Sequence, residues 1–354
     1  MGYGGVLMVK KILITGGAGF VGHHVVEGIL KNTDWEIIVL DRLDYASSGF
    51  DRLKDILCFD NKRVKIFTWD LQMDISENLQ KEIGHIDYII HMAAGSHVDD
   101  SIEKPVPFIK NNIDNTLVML EYARKIHPEK FIYFSTDEVY STAPEGVNYK
   151  EGDRFNPGNP YSASKASAEC ICMAYANTYK IPMVITNTMN VLGERQHPQK
   201  YLPKIINSIL DGKVLTIHSN KEKTQAGKRH YIHGRNVADG ILYILNNTTE
   251  TLDSIDASKG KFNIVGEKEL DNLELAKLVE IAINKTTGGD YKLFHEMVDF
   301  HSSRAGHDLR YALDGNKMKE LGWEPPKTIE DSINKLVEWS LDPVNIHWLG
   351  RDKI

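Results

Sequence analysis

The sequence predicts an α/β protein with a doubly wound parallel sheet and a smaller C-terminal α/β lobe. In the first half of the chain, short apolar runs rich in β-branched residues alternate with helical segments, which is typical of βαβ units. The first of these runs ends in a glycine-rich turn that opens a helix. After about residue 193 the alternation loosens, and this change indicates a second, smaller lobe.

The predicted strands of the first half share an apolar, β-branched centre and a polar or glycine-containing end. In chain order they cover residues 10–16, 36–41, 63–71, 85–94, 131–140 and 182–191. Between the last two, residues 160–180 predict a helix whose Ala, Cys and Met side chains recur every three or four positions, which favours a packed face. The second half predicts helices capped by polar residues such as Asp271. These helices cover residues 201–212, 236–248, 270–286 and 328–342, and further strands cover 214–219 and 261–266.

We therefore expect a cofactor-binding domain at residues 8–190, which also holds the catalytic residues, and a mainly substrate-binding lobe at residues 191–345. The chain is expected to cross between the two lobes. The length of 354 residues agrees with about two domains. Met8 is a candidate alternative start, because the first predicted strand begins just after it.

Composition and charge narrow the function classes. The chain is 42% hydrophobic and 26% charged, which is ordinary for a soluble globular protein, and its net charge of -7 disfavours a nucleic-acid coat or a membrane-surface protein. No apolar stretch approaches the roughly 20 residues of a membrane span. The cysteines (Cys58, Cys170 and Cys172) and the 14 histidines show no metal-ligand spacing. We expect a cytoplasmic protein without a metal, a nucleic-acid partner or a membrane partner.

The glycine-rich turn predicts a dinucleotide site of the Rossmann type. Gly16, Gly19 and Gly22 stand at GxxGxxG spacing between the first strand and the first helix, where a pyrophosphate would meet a helix N-terminus. Asp41 ends the second strand, and its carboxylate would accept both adenosine ribose hydroxyls and repel a 2′-phosphate, which favours NAD over NADP. Arg42 weakens that preference, and a purely structural turn is the alternative. The other predicted cofactor contacts are Phe20, Val21, Asp70, Leu71, Ala93 and Ala94.

A second motif predicts the catalytic group. Tyr161 and Lys165 form a YxxxK pattern on a predicted helix, and four residues place both side chains on one face. The lysine would lower the pKa of the tyrosine and bond the nicotinamide ribose, so that the tyrosinate could take a proton from a substrate hydroxyl. Thr136 ends a predicted strand, and Asp137 and Glu138 follow it directly.

These motifs resemble the extended short-chain dehydrogenase/reductase superfamily and, within it, the nucleotide-sugar 4,6-dehydratase branch. The segments ITGGAGFVG, HMAAGSHVDDSI, FSTDEVY, NPYSASKASAE and SRAGHDLRYALD carry the resemblance from residue 11 to about residue 340. It implies an NAD-dependent hydro-lyase that converts a nucleotide-diphosphate hexose, dTDP-glucose or UDP-glucose, to the 4-keto-6-deoxy sugar. The Asp-Glu pair is the discriminating piece, since the related 4-epimerases lack it.

The resemblance also implies roles for individual residues. Thr136 and Tyr161 would address the C4 oxygen of the sugar. Glu138 would remove the C5 proton, and Asp137 would protonate the leaving C6 hydroxyl. A homodimer is implied as well, with the YxxxK helix packed against its copy. The implied nucleotide-sugar contacts are Asn190, Lys200, Arg229, Asn263, Arg304 and His307.

Four positions depart from the family pattern and leave the nucleotide and the sugar open. Asn187 and Leu192 stand where the usual Arg-x-x-Asn-x-Tyr-Gly segment has Arg and Tyr. Gln199 replaces an acid, and Gly95 stands where Glu is common. Two alternative functions follow. An NAD-dependent nucleotide-sugar 4-epimerase would not need the Asp-Glu pair, and a non-catalytic NAD(H)-sensing protein would not need the YxxxK motif.

Overall fold

The computed structural model describes residues 9–44, 48–299 and 309–351. Met8, Arg304 and His307, which the sequence singles out, lie outside these residues. The strands are β1 (Lys11–Thr15), β2 (Glu36–Asp41), β3 (Val64–Thr68), β4 (Tyr88–His91), β5 (Lys130–Thr136), β6 (Met183–Thr188), β7 (Val191–Leu192), β8 (Val214–Ser219), β9 (Lys228–His230), β10 (Ile232–His233), β11 (Lys261–Ile264), β12 (Glu269–Asp271) and β13 (Phe294–Asp299).

The helices follow the strands in regular alternation through the first half of the chain. They are α1 (Phe20–Asn32), α2 (Asp51–Asp55), α3 (Glu77–Ile83), α4 (Val98–Glu103), α5 (Pro105–Ile126), α6 (Pro160–Tyr179), α7 (Tyr201–Leu210), α8 (Gly234–Asn247), α9 (Asn272–Thr287), α10 (Asn316–Glu320) and α11 (Ile329–Leu341). Two short 3-10 turns cover Asp137–Tyr140 and Ile346–Leu349.

Seven parallel strands form the central sheet in the order β11, β6, β5, β4, β1, β2, β3. Strands that are buried on both faces are apolar along their length rather than alternating, and β1 (KILIT) follows this rule. The chain order runs outward from β1 in both directions, so a crevice opens at the carboxyl ends of β1 and β4. The predicted Rossmann-type, doubly wound sheet is confirmed.

Helices cover both faces of this sheet. On one face, α1 and α8 pack against each other over a core that includes Ile14, Val25 and Ile241. On the other face, α5 and α6 pack together over a second core with Met119, Phe131 and Met183. Burial of these side chains from both sides excludes water from the sheet and leaves its carboxyl-end edge as the open surface.

The C-terminal half builds a smaller lobe around α7, α9 and α11. Their apolar faces share a core that includes Ile206, Val279 and Leu336, and β8 pairs in parallel with β13 beside it. Asp271 caps the start of α9, because its side chain accepts the N–H groups of Leu273 and Glu274 in a capping box. After residue 190 the chain returns to the central sheet, because β11 pairs with β6 and all four of its residues are buried.

Over the part of the chain that the structure describes, none of the helices combines the length and the apolar character that crossing a bilayer requires.

Candidate active site

The glycine turn forms a cradle that leaves no room for side chains. Gly16 has a φ of +71°, and a Cβ there would lie 2.9 Å from the backbone nitrogen of Ala93. A Cβ at Gly22 would lie 2.1 Å from the carbonyl oxygen of Gly16. Gly19 is the residue that precedes α1 in extended conformation. The turn therefore lets a ligand phosphate approach the backbone N–H groups and the N-terminus of α1, where Phe20 and Val21 begin the helix.

Asp41 lies at the carboxyl end of β2, beside this cradle. Its side chain accepts the N–H of Ala18 at 3.0 Å and the N–H of Leu43 at 2.9 Å. Burial raises the pKa of Asp41, and these two hydrogen bonds oppose the rise. The neighbouring Arg42 donates to Asp44 at 2.7 Å and to Asn111 at 2.8 Å. Because Arg42 has these partners, the side chain of this Asp-Arg pair that reaches the glycine turn is the carboxylate of Asp41, which suits a ribose diol. The guanidinium of the buried Arg52 also lies beside the turn and donates to the carbonyl of Ala18 at 3.4 Å.

The remaining predicted cofactor residues lie at the same edge of the sheet. Asp70 accepts the N–H of Gln72 at 3.0 Å, and Leu71 is buried beneath it. The N–H of Ala93 donates to Thr15 at 3.1 Å, which fixes the end of β4 against β1. Ala94 follows directly. The small side chains at this point leave space over the carboxyl ends of the strands, and the residues present fit a dinucleotide.

We expect Asp41→Asn to weaken the binding of NADH about tenfold and to reduce discrimination against NADPH, because the neutral amide loses charge-assisted hydrogen bonds to a ribose. Fluorescence titration with NADH and NADPH measures both affinities. Asp60→Asn changes an exposed acid and should leave both affinities unchanged. Wild-type protein that binds NADPH as tightly as NADH would contradict the role given to Asp41.

The helix α6 brings the YxxxK pair to the carboxyl end of β5. Asn159 caps the helix by accepting the N–H of Ser162 at 2.9 Å, and Pro160 occupies its first turn. Tyr161 therefore lies in the first turn with its ring largely buried. Lys165 lies one turn later, and its ammonium donates to the carbonyl of Phe134 at 2.7 Å. Burial lowers the pKa of Lys165 to about 8.

The pKa of Tyr161 depends on several neighbouring groups. Burial raises it, the negative charges of Glu138 and Asp137 raise it further, and a hydrogen bond with Thr136 opposes them. The ammonium of Lys165 is bonded to the backbone of β5 in this structure, and its lowering effect on the tyrosine pKa stays a prediction. That prediction named the charge of Lys165, whereas burial and the two carboxylates act in the opposite direction.

Thr136 and Asp137 form the turn that follows β5. The Thr136 hydroxyl donates to Asp137 Oδ1 at 2.9 Å and accepts the N–H of Glu138 at 3.3 Å. Asp137 is buried, and burial raises its pKa from 3.8 to about 6, against the lowering effect of the Thr136 hydrogen bond and the charge of Arg229. Among the described residues, no group hydrogen-bonds Asp137 Oδ2. A carboxyl in this state can hold and donate a proton near neutral pH.

Glu138 differs from Asp137 in its surroundings. Its side chain is only partly buried, lines the open cleft, and accepts the amide of Asn159 at 3.2 Å. Two adjacent carboxyl groups thus have different environments, one enclosed and one facing the cleft. Such a difference is how neighbouring carboxyl groups acquire the separate roles of acid and base.

A cleft of about 1140 Å³ leads from Glu138 into the C-terminal lobe. The structure brings three of the predicted substrate residues together in its lining: Asn190, Lys200 and Arg229. The guanidinium of Arg229 donates to the carbonyl of Leu309 at 2.8 Å and lies 4.6 Å from the ring of Tyr311. Glu138 lines the same cleft, and Arg229 is close enough to Asp137 for its charge to lower the pKa of that carboxyl.

Asn263 does not reach this cleft. Its side chain is fully buried in β11, where the amide donates to the carbonyls of Tyr149 at 3.1 Å and Asp314 at 3.0 Å. Because Asn263 is enclosed by neighbouring backbone, it holds the end of the sheet to the loops around it. We therefore correct its assignment from a substrate contact to a structural residue.

The departures from the family pattern have local explanations. Gly95 exchanges hydrogen bonds with Asn112, and a Cβ at Gly95 would lie 2.9 Å from the ring of Phe108. Phe108 in turn meets Tyr161 edge to face, with ring centroids 6.3 Å apart. A larger residue at position 95 would displace the ring that packs against the tyrosine. Leu192 is part of the core of the smaller lobe, and Gln199 lines the cleft.

The sequence singled out Asn187 only as a departure from the family pattern and did not reveal the polar residues behind the catalytic turn, which we define as Thr136–Tyr140. Asn187 donates to the carbonyl of Thr136 at 3.0 Å and to Glu169 at 2.8 Å. Glu169 also forms a buried ion pair with Lys261 at 3.0 Å. The sequence could have indicated that Glu169 lies near the site, because it follows Tyr161 by two turns of the same helix. Nothing in the sequence pairs Glu169 with a lysine on a distant strand.

The fold and the site together define an NAD-binding enzyme of the short-chain dehydrogenase/reductase type. The sequence profile of the NAD dependent epimerase/dehydratase family matches residues 12–264, and the chain belongs to this family. Its cofactor is accordingly NAD.

Within this family, the chain is similar to nucleotide-sugar 4,6-dehydratases and 4-epimerases. The chain is 34% identical to dTDP-glucose 4,6-dehydratase of Escherichia coli over an alignment of 367 positions, gaps included, which covers 96% of each chain. A crystal structure of dTDP-glucose 4,6-dehydratase from Streptomyces venezuelae with NAD bound superposes with a TM-score of 0.77, at 32% identity over 93% of this chain and 96% of that one. UDP-glucose 4-epimerase of Thermus thermophilus, also with NAD, gives a TM-score of 0.78 at 26% identity, over 93% and 98% of the two chains.

Proposed function

We propose that the protein is a nucleotide-diphosphate-hexose 4,6-dehydratase that converts dTDP-glucose or UDP-glucose to the 4-keto-6-deoxy sugar. The observation that supports this most is the pair of carboxyl groups in different environments, the enclosed Asp137 and the cleft-facing Glu138, beside Tyr161. Oxidation at C4 alone requires the tyrosine and a cofactor. Loss of water across C5–C6 also requires one base and one acid, and this chain has both.

The proposed reaction assigns each proton to a residue of this chain. Bound NAD supplies the chemistry of accepting a hydride from C4 and returning it to C6. Tyr161, which shares a hydrogen bond with Thr136, takes the proton of the C4 hydroxyl in its ionised form. The positive charges of Lys165 and of bound NAD would favour that form against the effect of burial. Glu138 then takes the C5 proton, which the C4 carbonyl has made acidic. Asp137 donates its proton to the C6 hydroxyl, which leaves as water. The proton held by Glu138 returns to C5 when the hydride is delivered to C6, and the proton taken by Tyr161 passes through solvent to Asp137. One water is thus lost for each sugar converted, and the three residues regain their starting protonation states.

The cleft residues are assigned to the nucleoside diphosphate. Lys200 and Arg229 present cationic groups to the same space, and a guanidinium can bond a pyrophosphate through two parallel N–H groups. Asn190 offers an amide beside them. The resemblance assigns Arg304 and His307 to the same ligand, and we keep them in the proposal. Local cations of this kind offset the net negative charge of the chain for one small anionic ligand.

A 4-epimerase is the second candidate, because the fold superposes equally well on an epimerase. Such an enzyme would use Tyr161 and NAD but would leave the acid pair without a role. A non-catalytic NAD(H)-sensing protein is less consistent with the chain, because Tyr161 and Lys165 are both present at the carboxyl edge of the sheet.

Incubation with dTDP-glucose, UDP-glucose and GDP-mannose, each deuterated at C4, tests the proposal. We expect a 4-keto-6-deoxy product from a glucose nucleotide, with the deuterium at C6. A product whose C4 is inverted and whose C6 hydroxyl is retained would favour the epimerase and overturn the dehydratase. If none of the three sugars is altered although NAD binds, the sensing protein becomes the better proposal.

We further propose a cytoplasmic homodimer that associates through α5 and α6. Val106 on α5 and Tyr179 on α6 are apolar side chains with 69% and 41% exposure, and the two helices pack side by side. Light scattering of the purified protein measures the mass of the assembly, which should be twice that of the 40.1 kDa chain.

A further inference from the structure

A fully buried ion pair lies directly behind the catalytic turn. The carboxylate of Glu169, on α6, lies 3.0 Å from the ammonium of Lys261, on β11, and both side chains are at most 1% exposed. Lys261 also donates to the hydroxyl of Tyr140 at 3.0 Å, and its ammonium lies 4.6 Å from the ring of Phe155. Both charged groups are thus removed from water. Their polar partners lie on β5, on β6 and in the 3-10 turn that follows β5.

The pair is linked by hydrogen bonds to both ends of the catalytic turn. At the start, Ser135 donates to Glu169 at 2.5 Å, and Asn187 donates both to Glu169 and to the carbonyl of Thr136. At the end, the hydroxyl that accepts from Lys261 belongs to Tyr140, the last residue of the 3-10 turn that begins with the acid pair. We call Ser135, Tyr140, Glu169, Asn187 and Lys261 the rear network.

The rear network also reaches the catalytic helix. Glu169 lies one turn after Lys165 and two turns after Tyr161 on α6, so all three side chains project from the same side of the helix. A displacement of Glu169 would therefore change the spacing between the tyrosine and the acid turn. Catalysis is sensitive to such spacing, because a shift of about 1 Å can cost about a hundredfold in rate.

Stability alone is a poor explanation for this pair. Removing two charges from water is costly, and apolar replacements for buried ion pairs are frequently neutral or stabilising. Directional hydrogen bonds, in contrast, hold groups at fixed positions that apolar packing leaves free to slide. The buried pair lies where β5, the turn that follows β5, and α6 come together, and these elements carry the proposed catalytic residues. A role in positioning them explains the cost of burial better than stability does.

We infer that the Glu169–Lys261 pair is a positioning device for the proposed dehydratase, which fixes the Thr136–Glu138 turn relative to Tyr161 through the rear network. Neither residue lines the cleft assigned to the substrate. The inference rests on the proposed function for its kinetic consequence, but not for its structural one, because the order of the turn can be measured without a substrate.

The test compares the neutral double variant Glu169→Gln/Lys261→Met with Lys261→Arg, which keeps the charge. For the double variant we expect a folded protein, a kcat at least about tenfold lower, and a KM for the sugar nucleotide within about threefold of wild type. Hydrogen exchange of the segment 134–140 should accelerate while exchange in β1 and β2 does not change. Lys261→Arg should retain kcat within about threefold.

The outcomes separate the possibilities. Wild-type kcat and wild-type exchange at 134–140 in the folded double variant would overturn the inference. If the double variant does not fold, Ser135→Ala is the alternative variant, because it removes only one hydroxyl of the rear network. A lower kcat of Ser135→Ala at unchanged KM supports the inference, and an unchanged kcat overturns it. If the wild type converts none of the sugars, the proposed function fails, whereas faster exchange at 134–140 in the variants would still support the positioning role.

Discussion

Glu138→Gln is expected to abolish water loss while leaving oxidation at C4 intact. The amide cannot take the C5 proton, and loss of a general base lowers rates by about 10²- to 10⁴-fold. Glutamine has the same shape, and the oxygen of its amide can still accept the amide N–H of Asn159. With a C4-deuterated sugar nucleotide, deuterium should pass to the cofactor within one turnover, and little 4-keto-6-deoxy product should form.

A matched control separates this effect from a general loss of carboxylate charge. Glu103 is 74% exposed at the end of α4, and Glu103→Gln should have the wild-type kcat. Elimination at the wild-type rate in Glu138→Gln would show that another group removes the C5 proton. A parallel loss of C4 oxidation would show instead that the substitution disturbs Tyr161.

The central sheet could be predicted because its signals are local. Each strand carries its own apolar run, and the glycine turn has steric requirements that a few adjacent residues meet, as Gly16 and Gly22 show. The helix α6 likewise has its start encoded in Asn159 and Pro160. These patterns need no knowledge of distant residues, so the sequence specifies them directly.

The features that the sequence did not reveal depend on contacts between distant segments. The pairing of Glu169 with Lys261 exists only because β11 returns to the sheet beside β6. Similarly, the enclosure of Asn263 follows from two loops that close around the end of β11. The pKa of Tyr161 follows from the burial of its ring and from the charges of Glu138 and Asp137, which a motif of two residues does not contain.

Asp137→Asn is expected to make the protein more stable and much less active. In the folded protein the pKa of Asp137 rises to about 6 from an ordinary 3.8, mainly because burial disfavours the charged form. The ionised carboxylate therefore costs stability, an effect that is absent below about pH 4 and fully present above about pH 6. Since a pKa difference of one corresponds to about 1.4 kcal/mol, the cost at pH 8 is about 3 kcal/mol.

The neutral asparagine avoids this cost and can still accept the Thr136 hydroxyl through its amide oxygen. Urea unfolding at pH 8 should therefore give a free energy of unfolding about 3 kcal/mol above wild type, and this difference should vanish at about pH 3, where Asp137 is protonated in both states. In contrast, kcat should fall about 10²- to 10⁴-fold, because the amide cannot protonate the leaving hydroxyl. Wild-type kcat should decline as pH rises above about 6, where Asp137 loses its proton. Equal stabilities of the two proteins at pH 8, or a wild-type kcat that does not respond to pH in this range, would contradict the assignment of Asp137 as the buried acid.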